Sequence, residues 1–337
     1  MNATPHTIPI HQVLQILLGA RKRGLDVNAI VWRAGISPDL LASPLSRVTQ
    51  AQFATLTFVL RRVTCDELWG LCSQPVRVGS FVQACRLLVH CQNLGEALRV
   101  GCQFYHLLLH DFVPRLWVDQ GVASYRLIKR VERDGRLSYA ERVFSFFTYG
   151  LACWLVGRRI PLLDVVYPAA EKGCITSADI LFRIPARYDK DSVSFLFEAR
   201  WLTLPVVQNT QSLGEFLRQA PASLLLRYRD QTSLTERIRR LLRKHLADNL
   251  LSLDEISRTL TMTPQTLRRR LSLEGQGYQA IKDDLRRDVA IECLAQPELT
   301  LIAIANRLGF AEASTFHRAF KGWTGLAPGV YRQTLQR

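Results

Sequence analysis

The chain has 337 residues, 48% of them apolar and 22% charged, and a formal net charge of +15. That length suits two or three domains, and the ordinary apolar content excludes wholesale disorder. The longest apolar stretches, such as Leu224–Leu226 and Leu301–Ala305, fall far short of the roughly 20 residues that a helix needs to cross a bilayer.

Apolar residues at helical spacing predict helices over Val13–Arg21, Gln50–Arg62, Phe81–His90 and Leu94–His106. Phe112–Val118 and Val122–Lys129 are short, rich in β-branched or aromatic residues, and read as strands. A long helix over Leu137–Val156 follows, then strands over Leu162–Tyr167, Ile180–Ile184 and Val193–Phe197. Residues 1–210 are therefore expected to form an α+β domain with its strands in the second half. No internal repeat or low-complexity tract interrupts it.

The cysteines Cys65, Cys72, Cys85, Cys91, Cys102, Cys153, Cys174 and Cys293 form no C-x-x-C pair and no zinc-finger spacing. With no basic-then-apolar leader in the first thirty residues, they are expected to be reduced in the cytoplasm, as small core residues; a thiol redox sensor is the alternative. No metal or cofactor motif is present, and no catalytic one. Trp117, Tyr125, His106, His110 and Arg183 are candidates to line an effector pocket, although aromatic residues on alternating strand positions equally suit a core.

Strand signals stop near residue 205, and residues 211–232 read as a linker around short helical pieces. Residues 233–337 are helical throughout. Ser233-Leu234-Thr235-Glu236 and Ser252-Leu253-Asp254-Glu255 each fit the S-x-x-E capping box, which satisfies the free amides of a helix start. A net charge of +15 favours a polyanionic partner, nucleic acid before a membrane surface. Charge does not locate the site, because residues 221–337 carry a net +7 and residues 1–220 a net +8.

Pattern locates it. A capped helix ends near Leu260, Thr261-Met262-Thr263 turns the chain, and a second helix opens with Pro264, where a missing amide costs nothing. At about 100° per residue, Leu267 and Leu271 share one face, while Gln265, Arg268, Arg269 and Ser272 lie on the other. Amide and guanidinium groups suit the adenine and guanine edges of a major groove. The arrangement then recurs. Leu301–Arg307 is an apolar helix, Leu308-Gly309-Phe310 a turn, and Ala313–Trp323 a second reader. Phe316, Phe320 and Trp323 face inward there, and Ser314, His317, Arg318 and Lys321 face outward. The apolar helix Leu285–Ala295 joins the two helix-turn-helix units.

The run Ile302-Ala303-Ile304-Ala305-Asn306-Arg307-Leu308-Gly309-Phe310, then Phe316-His317-Arg318-Ala319-Phe320-Lys321, then Gly325, Pro328, Tyr331 and Arg332, resembles the AraC/XylS family signature. The resemblance covers residues 233–337. It implies a transcription regulator of double-stranded DNA that works with RNA polymerase, its two reading helices entering successive major grooves. By position, the base-reading residues implied are Gln265, Arg268 and Arg269, then Ala313, Ser314, His317 and Arg318. Ala313 departs from the pattern, since a methyl contact to thymine is the most it offers. Ala311-Glu312 also replaces the usual small polar cap. Arg270, Lys321, Arg332 and the exposed basic residues of Ser233–Lys244 are the candidate phosphate contacts.

Leu271–Ala290, with Glu274-Gly275 and Asp284-Leu285-Arg286-Arg287, resembles one branch of that family, as does Phe195-Leu196-Phe197 with Leu204-Pro205. It is the branch of the ornithine-utilisation regulators. Its N-terminal domain is labelled arabinose-binding-like, a label that does not imply arabinose. The resemblance spans residues 20–210 and implies sensing of a small-molecule effector and self-association as a homodimer. Two rivals stay open on the sequence: an enzyme or DNA-repair protein with a reactive cysteine, and a protein scaffold that has lost DNA binding.

Overall fold

The computed structural model describes residues 7–167, 187–188, 193–219, 233–247, 250–274 and 276–336. In chain order the N-terminal elements are β1 (Thr7–Pro9), α1 (Ile10–Ile16), α2 (Leu18–Lys22), α3 (Val27–Arg33), β2 (Arg47–Thr49) and α4 (Gln50–Thr64). Then come α5 (Ser80–Leu88), α6 (Leu94–His106), β3 (Phe112–Asp119), β4 (Val122–Lys129) and α7 (Gly135–Leu155). They are followed by β5 (Asp164–Tyr167), β6 (Arg187–Tyr188), β7 (Val193–Glu198) and α8 (Thr210–Gln219). The helical remainder is α9 (Leu234–Lys244), α10 (Leu253–Thr259), α11 (Pro264–Leu273), α12 (Tyr278–Leu294), α13 (Leu301–Arg307), α14 (Ala313–Thr324) and α15 (Pro328–Gln336). The α+β N-terminal portion and the all-helical C-terminal portion expected from the sequence are both present.

The chain divides into two compact units, and the division does not fall at residue 210. One unit takes residues 15–27 and 57–229; the other takes 1–14, 28–56 and 230–337. Much of the N-terminal segment thus belongs with the C-terminal helices. The sequence expectation of a 1–210 domain misses this because β1 and β2 are three residues each, too short for any periodicity. The helix expected over Val13–Arg21 is interrupted at Leu17. Just beyond, a Cβ on Gly19 would stand 2.3 Å from the Trp69 carbonyl oxygen, so only glycine admits that approach.

In the 57–229 unit a five-stranded sheet runs in the order β3-β4-β7-β5-β6, antiparallel except for the β5–β6 pair. Period-two alternation puts Ala123, Tyr125 and Leu127 on its buried face, with Phe195 and Phe197 of β7. Helix α7 packs there. Asp134 caps it by accepting from the Leu137 amide at 2.8 Å, and Phe144 and Tyr149 meet Phe112 and Phe195 edge-on at 5.5 and 5.9 Å. Residues 210–219, expected to open a linker, instead form α8, which stacks Phe216 on Trp154 at 4.2 Å. The strand expected over Ile180–Ile184 lies outside the described residues.

In the other unit, β1 and β2 pair antiparallel, Ile8 opposite Val48. Around them and the seven C-terminal helices the core contains Ile238, Leu242, Ile256, Leu267, Leu271, Ile281, Leu285, Ile304, Phe316, Phe320 and Tyr331.

Candidate nucleic-acid interface

The first helix-turn-helix is α10 and α11. Ser252 and Glu255 form the complete capping box: the Glu255 amide donates to Ser252 Oγ at 3.2 Å, and the Ser252 amide donates to Glu255 Oε2 at 2.6 Å. Thr261 turns the chain with φ of +53°, in the left-handed region. Thr263 caps α11, accepting from the Thr266 amide at 3.2 Å, and Pro264 opens the helix. Leu267 and Leu271 are buried, while Gln265, Arg268, Arg269, Arg270 and Ser272 are all exposed. The apolar stripe fixes the helix, and the amide and guanidinium groups are free to face a groove.

The second unit repeats the plan with α13 and α14. Thr300 caps α13, and Gly309, with φ of +70°, occupies the turn position that Thr261 holds in the first unit. Phe316 and Phe320 are buried, Trp323 is half-buried 6.2 Å from Phe310, and Ser314, Arg318 and Lys321 are exposed. Ala313 and His317 are half-buried. Glu312 stands at the N-cap of α14 but makes no capping bond; its carboxylate accepts from the Ser314 hydroxyl at 3.0 Å. An exposed carboxylate thus sits beside the residues expected to read bases, and one of those residues is already engaged by it. Sequence reasoning noted Glu312 only as an unusual cap; its pairing with Ser314, two residues away, was legible at most as a proximity.

Helix α12 joins the units and runs from Tyr278, seven residues earlier than the apolar pattern indicated, because its first turns are polar. It grips both sides. The Arg286 Nε donates to the Leu308 carbonyl at 3.1 Å, in the second turn, and its guanidinium lies 4.7 Å over the Phe310 ring. Asp288 is buried and meets three guanidinium groups: Arg239 of α9 at 2.9 Å, Arg287 at 3.5 Å and Arg47 of β2 at 3.9 Å. Burial pushes its carboxyl up, but Arg287, Arg239 and Arg47, with a hydrogen bond from Thr7, outweigh this and hold it below the usual carboxylate range. Glu274, at the end of α11, accepts from the Leu234 and Thr235 amides at 3.0 and 2.9 Å, tying the first reader to the start of α9.

Of the expected phosphate contacts, Arg270 and Lys321 are exposed, as are Arg237, Arg240 and Lys244 on α9. Arg239 is not, being buried against Asp288. Arg332 is half-buried, its Nε and Nη2 shielded and without a hydrogen-bond acceptor among the described residues.

The residues considered for an effector pocket do not converge. Tyr125 is buried and stacked on Phe195 at 4.9 Å, while Trp117 pairs with Ser124 on the opposite sheet face, its ring 5.4 Å from the Arg126 guanidinium. His106 contacts Arg130 at 2.9 Å, His110 is exposed, and Arg183 lies outside the described residues. Six of the seven described cysteines are buried. Burial pushes the thiols of Cys72, Cys85, Cys91, Cys102, Cys153 and Cys293 up, Cys102 to about 11, the opposite of what a reactive thiolate needs. Among the described residues no group of His, Cys, Asp and Glu could hold a metal ion, and no helix is long and apolar enough to cross a membrane.

Residues 24–206, more than half of the chain, match the arabinose-binding domain of AraC transcription regulators, and residues 256–334 match a helix-turn-helix domain. The ornithine utilization regulator of Pseudomonas aeruginosa is 27% identical over 338 aligned residues, covering 99% of this chain and 98% of its own. The transcriptional regulator VqsM of the same organism is 26% identical, covering 74% of this chain and 78% of its own. The solved structure of the regulator CdpR, also from Pseudomonas aeruginosa, aligns over 96% of this chain and 98% of its own at 19% identity and a TM-score of 0.31. Two capped helix-turn-helix units with solvent-facing arginines and this N-terminal match lead to one assignment: the chain belongs to the AraC family of transcription regulators, DNA-binding proteins with an effector-binding domain ahead of paired helix-turn-helix units.

Proposed function

We propose that this regulator reads its operator with Gln265, Arg268 and Arg269 of α11 and with Ala313, Ser314, His317 and Arg318 of α14, placed in successive major grooves. The observation that carries the reading is the split of each helix into a buried apolar stripe and an exposed face bearing arginines. Arg270 and Lys321 flank those faces and contact phosphates, joined by Arg237, Arg240 and Lys244, with Arg332 the least accessible member of the set. The protein works in the cytoplasm as a homodimer, responds to a small-molecule effector through residues 57–229, and acts on RNA polymerase rather than by catalysis. Two paired readers on one DNA gain affinity through effective concentration, which supports the dimer.

Competition binding of Arg269→Ala and Arg318→Ala against single-base variants of the bound duplex tests the reading. Each substitution should cost about 1–3 kcal/mol at the preferred site and relax preference at one base pair. Arg270→Ala should instead weaken preferred and random DNA alike and reduce the salt slope by about one. Lower affinity with every base preference intact would remove these residues from the reading role.

A further inference from the structure

We propose that the N-terminal strand pair is a positioning element of the DNA reader, fixing the distance and rotation between its two reading helices. This rests on the DNA-reading assignment above. Helix α12 and its neighbours join the two readers, so looseness between α12 and the α14–α15 corner displaces one reader relative to the other.

The strand pair closes that joint. The Thr7 hydroxyl donates to Asp288 Oδ1 at 2.5 Å, and Arg47 lies 3.9 Å from the same carboxylate, so both strands engage α12. The Arg47 side chain also holds Thr7, donating to its hydroxyl oxygen at 2.6 Å and to its carbonyl at 2.7 Å. On its other side, the Arg47 carbonyl accepts the hydroxyl of Tyr331, the buried tyrosine of α15 whose ring meets Phe320 of α14 edge-on at 5.3 Å. One residue of β2 therefore bridges the linking helix and the helix packed behind the second reader. A third contact reaches α14 directly: the Ser43 hydroxyl donates to the Thr324 carbonyl at 3.3 Å, at the last residue of the reading helix. A Cβ on the adjacent Gly325 would stand 3.2 Å from Ser43 Oγ and 3.8 Å from Leu45 Cβ, so residues 43–45 press closely on that corner.

The rest of the path to the first reader is built from an ion pair and backbone-to-carboxylate hydrogen bonds already described. Asp288 holds Arg239 of α9, and the start of α9 is held by Glu274 at the end of α11. With β1 and β2 in place, a continuous set of polar contacts runs from α11 through α9 and α12 to the back of α14. Without them, Asp288 keeps Arg239 and Arg287, but the α14–α15 corner loses its polar link to it. Each reader would still have its own helix-turn-helix and buried apolar stripe. What the strands add is their mutual geometry.

Rotation along the duplex makes this measurable. One inserted base pair between two half-sites moves the second by about 3.4 Å and turns it by about 34°. The experiment uses the full chain and a duplex recovered by the wild type from a randomised pool, together with versions carrying one inserted base pair between the halves or only one half. The wild type should lose about tenfold or more in affinity on the insertion. A triple variant, Thr7→Val, Ser43→Ala and Tyr331→Phe, should lose about threefold or less on the insertion while binding the single half-site as the wild type does. Ser43→Ala alone, the mildest change, should shift the insertion penalty in the same direction. A triple variant that keeps the full penalty overturns the proposal. So does one that loses half-site and full-site affinity in parallel, because the strands would then hold the fold and not the spacing. If the wild type recovers no duplex at all, the DNA-reading assignment falls and takes the proposal with it.

Discussion

Replacing Thr261 by glycine should make the first helix-turn-helix more stable. Thr261 has φ of +53°, a conformation that a β-branched residue enters at a cost of about 1–2 kcal/mol. The glycine variant gives back about 0.5–1 kcal/mol through its greater freedom in the unfolded chain. Among the described residues the Thr261 hydroxyl donates to the neighbouring Leu260 carbonyl, at 2.7 Å, and to no other, so little else is lost. The net gain is about 0.5–1 kcal/mol, which raises the melting temperature by roughly 1–4 °C. Gly309, with φ of +70° at the matching turn, gives the opposite experiment: Gly309→Thr should lose about 1–2 kcal/mol. Thermal denaturation of the full chain, with amide exchange across α10–α11 and α13–α14 to localise the change, measures both. A destabilising Thr261→Gly, or a neutral Gly309→Thr, would refute the reasoning.

Asp288→Asn keeps the shape but removes the Asp288 carboxylate from Arg239 and Arg47, while Arg287 keeps Asp284 at 2.8 Å, and should cost about 3 kcal/mol in urea denaturation at neutral pH. Because the Asp288 carboxyl is held below its ordinary value, its contribution is complete above the unfolded value of about 3.9 and is lost as pH falls through the lower folded value. The gap between wild type and variant should therefore close only below about pH 4, and a gap that closes near neutrality would contradict the assignment. Glu312→Gln should raise affinity for random DNA by removing a negative charge beside the phosphates, and alter preference at one base pair if the carboxylate reads a cytosine amino group; unchanged binding in both assays would show that Glu312 lies away from the duplex. Arg332→Met should leave stability equal or higher, since it removes shielded nitrogens that have no acceptor among the described residues. If Arg332 also contacts a phosphate, the salt slope of DNA binding should fall by about one.

What the sequence made legible was local. Helix α6 (Leu94–His106) and strand β4 (Val122–Lys129) were readable to the residue, because each carries a clean period and its own boundaries. The first reader was equally legible, its caps Ser252 and Thr263 lying within three residues of what they satisfy, whereas the cap Thr300 was not read and the second reader runs one residue beyond Trp323. What escaped was non-local. Arg47 and Asp288 look like two scattered charges among many, and their meeting is fixed by tertiary packing that no spacing encodes. Arg239 shows the same limit from another side. On the helical pattern it belongs to a basic, solvent-facing run, yet it is buried in an ion pair. The engagement of Ser314 by Glu312 is likewise set by side-chain geometry at a helix start.

The split unit also has a consequence for how the protein is made. Thr7 and Arg47 are translated long before Asp288 and Tyr331, 281 and 284 positions ahead of them in the two direct contacts. At about 5–20 residues per second, the ribosome holds the first strands without their partners for tens of seconds. Residues 57–229 contain their own sheet and core and emerge complete during that interval. The insert can fold first on the nascent chain, and the DNA-reading unit closes only after Asp288 and Tyr331 are released. A nascent chain stalled before residue 288 would carry Arg47 without the Asp288 carboxylate, so the strand pair cannot hold the reading helices in register until that residue is made.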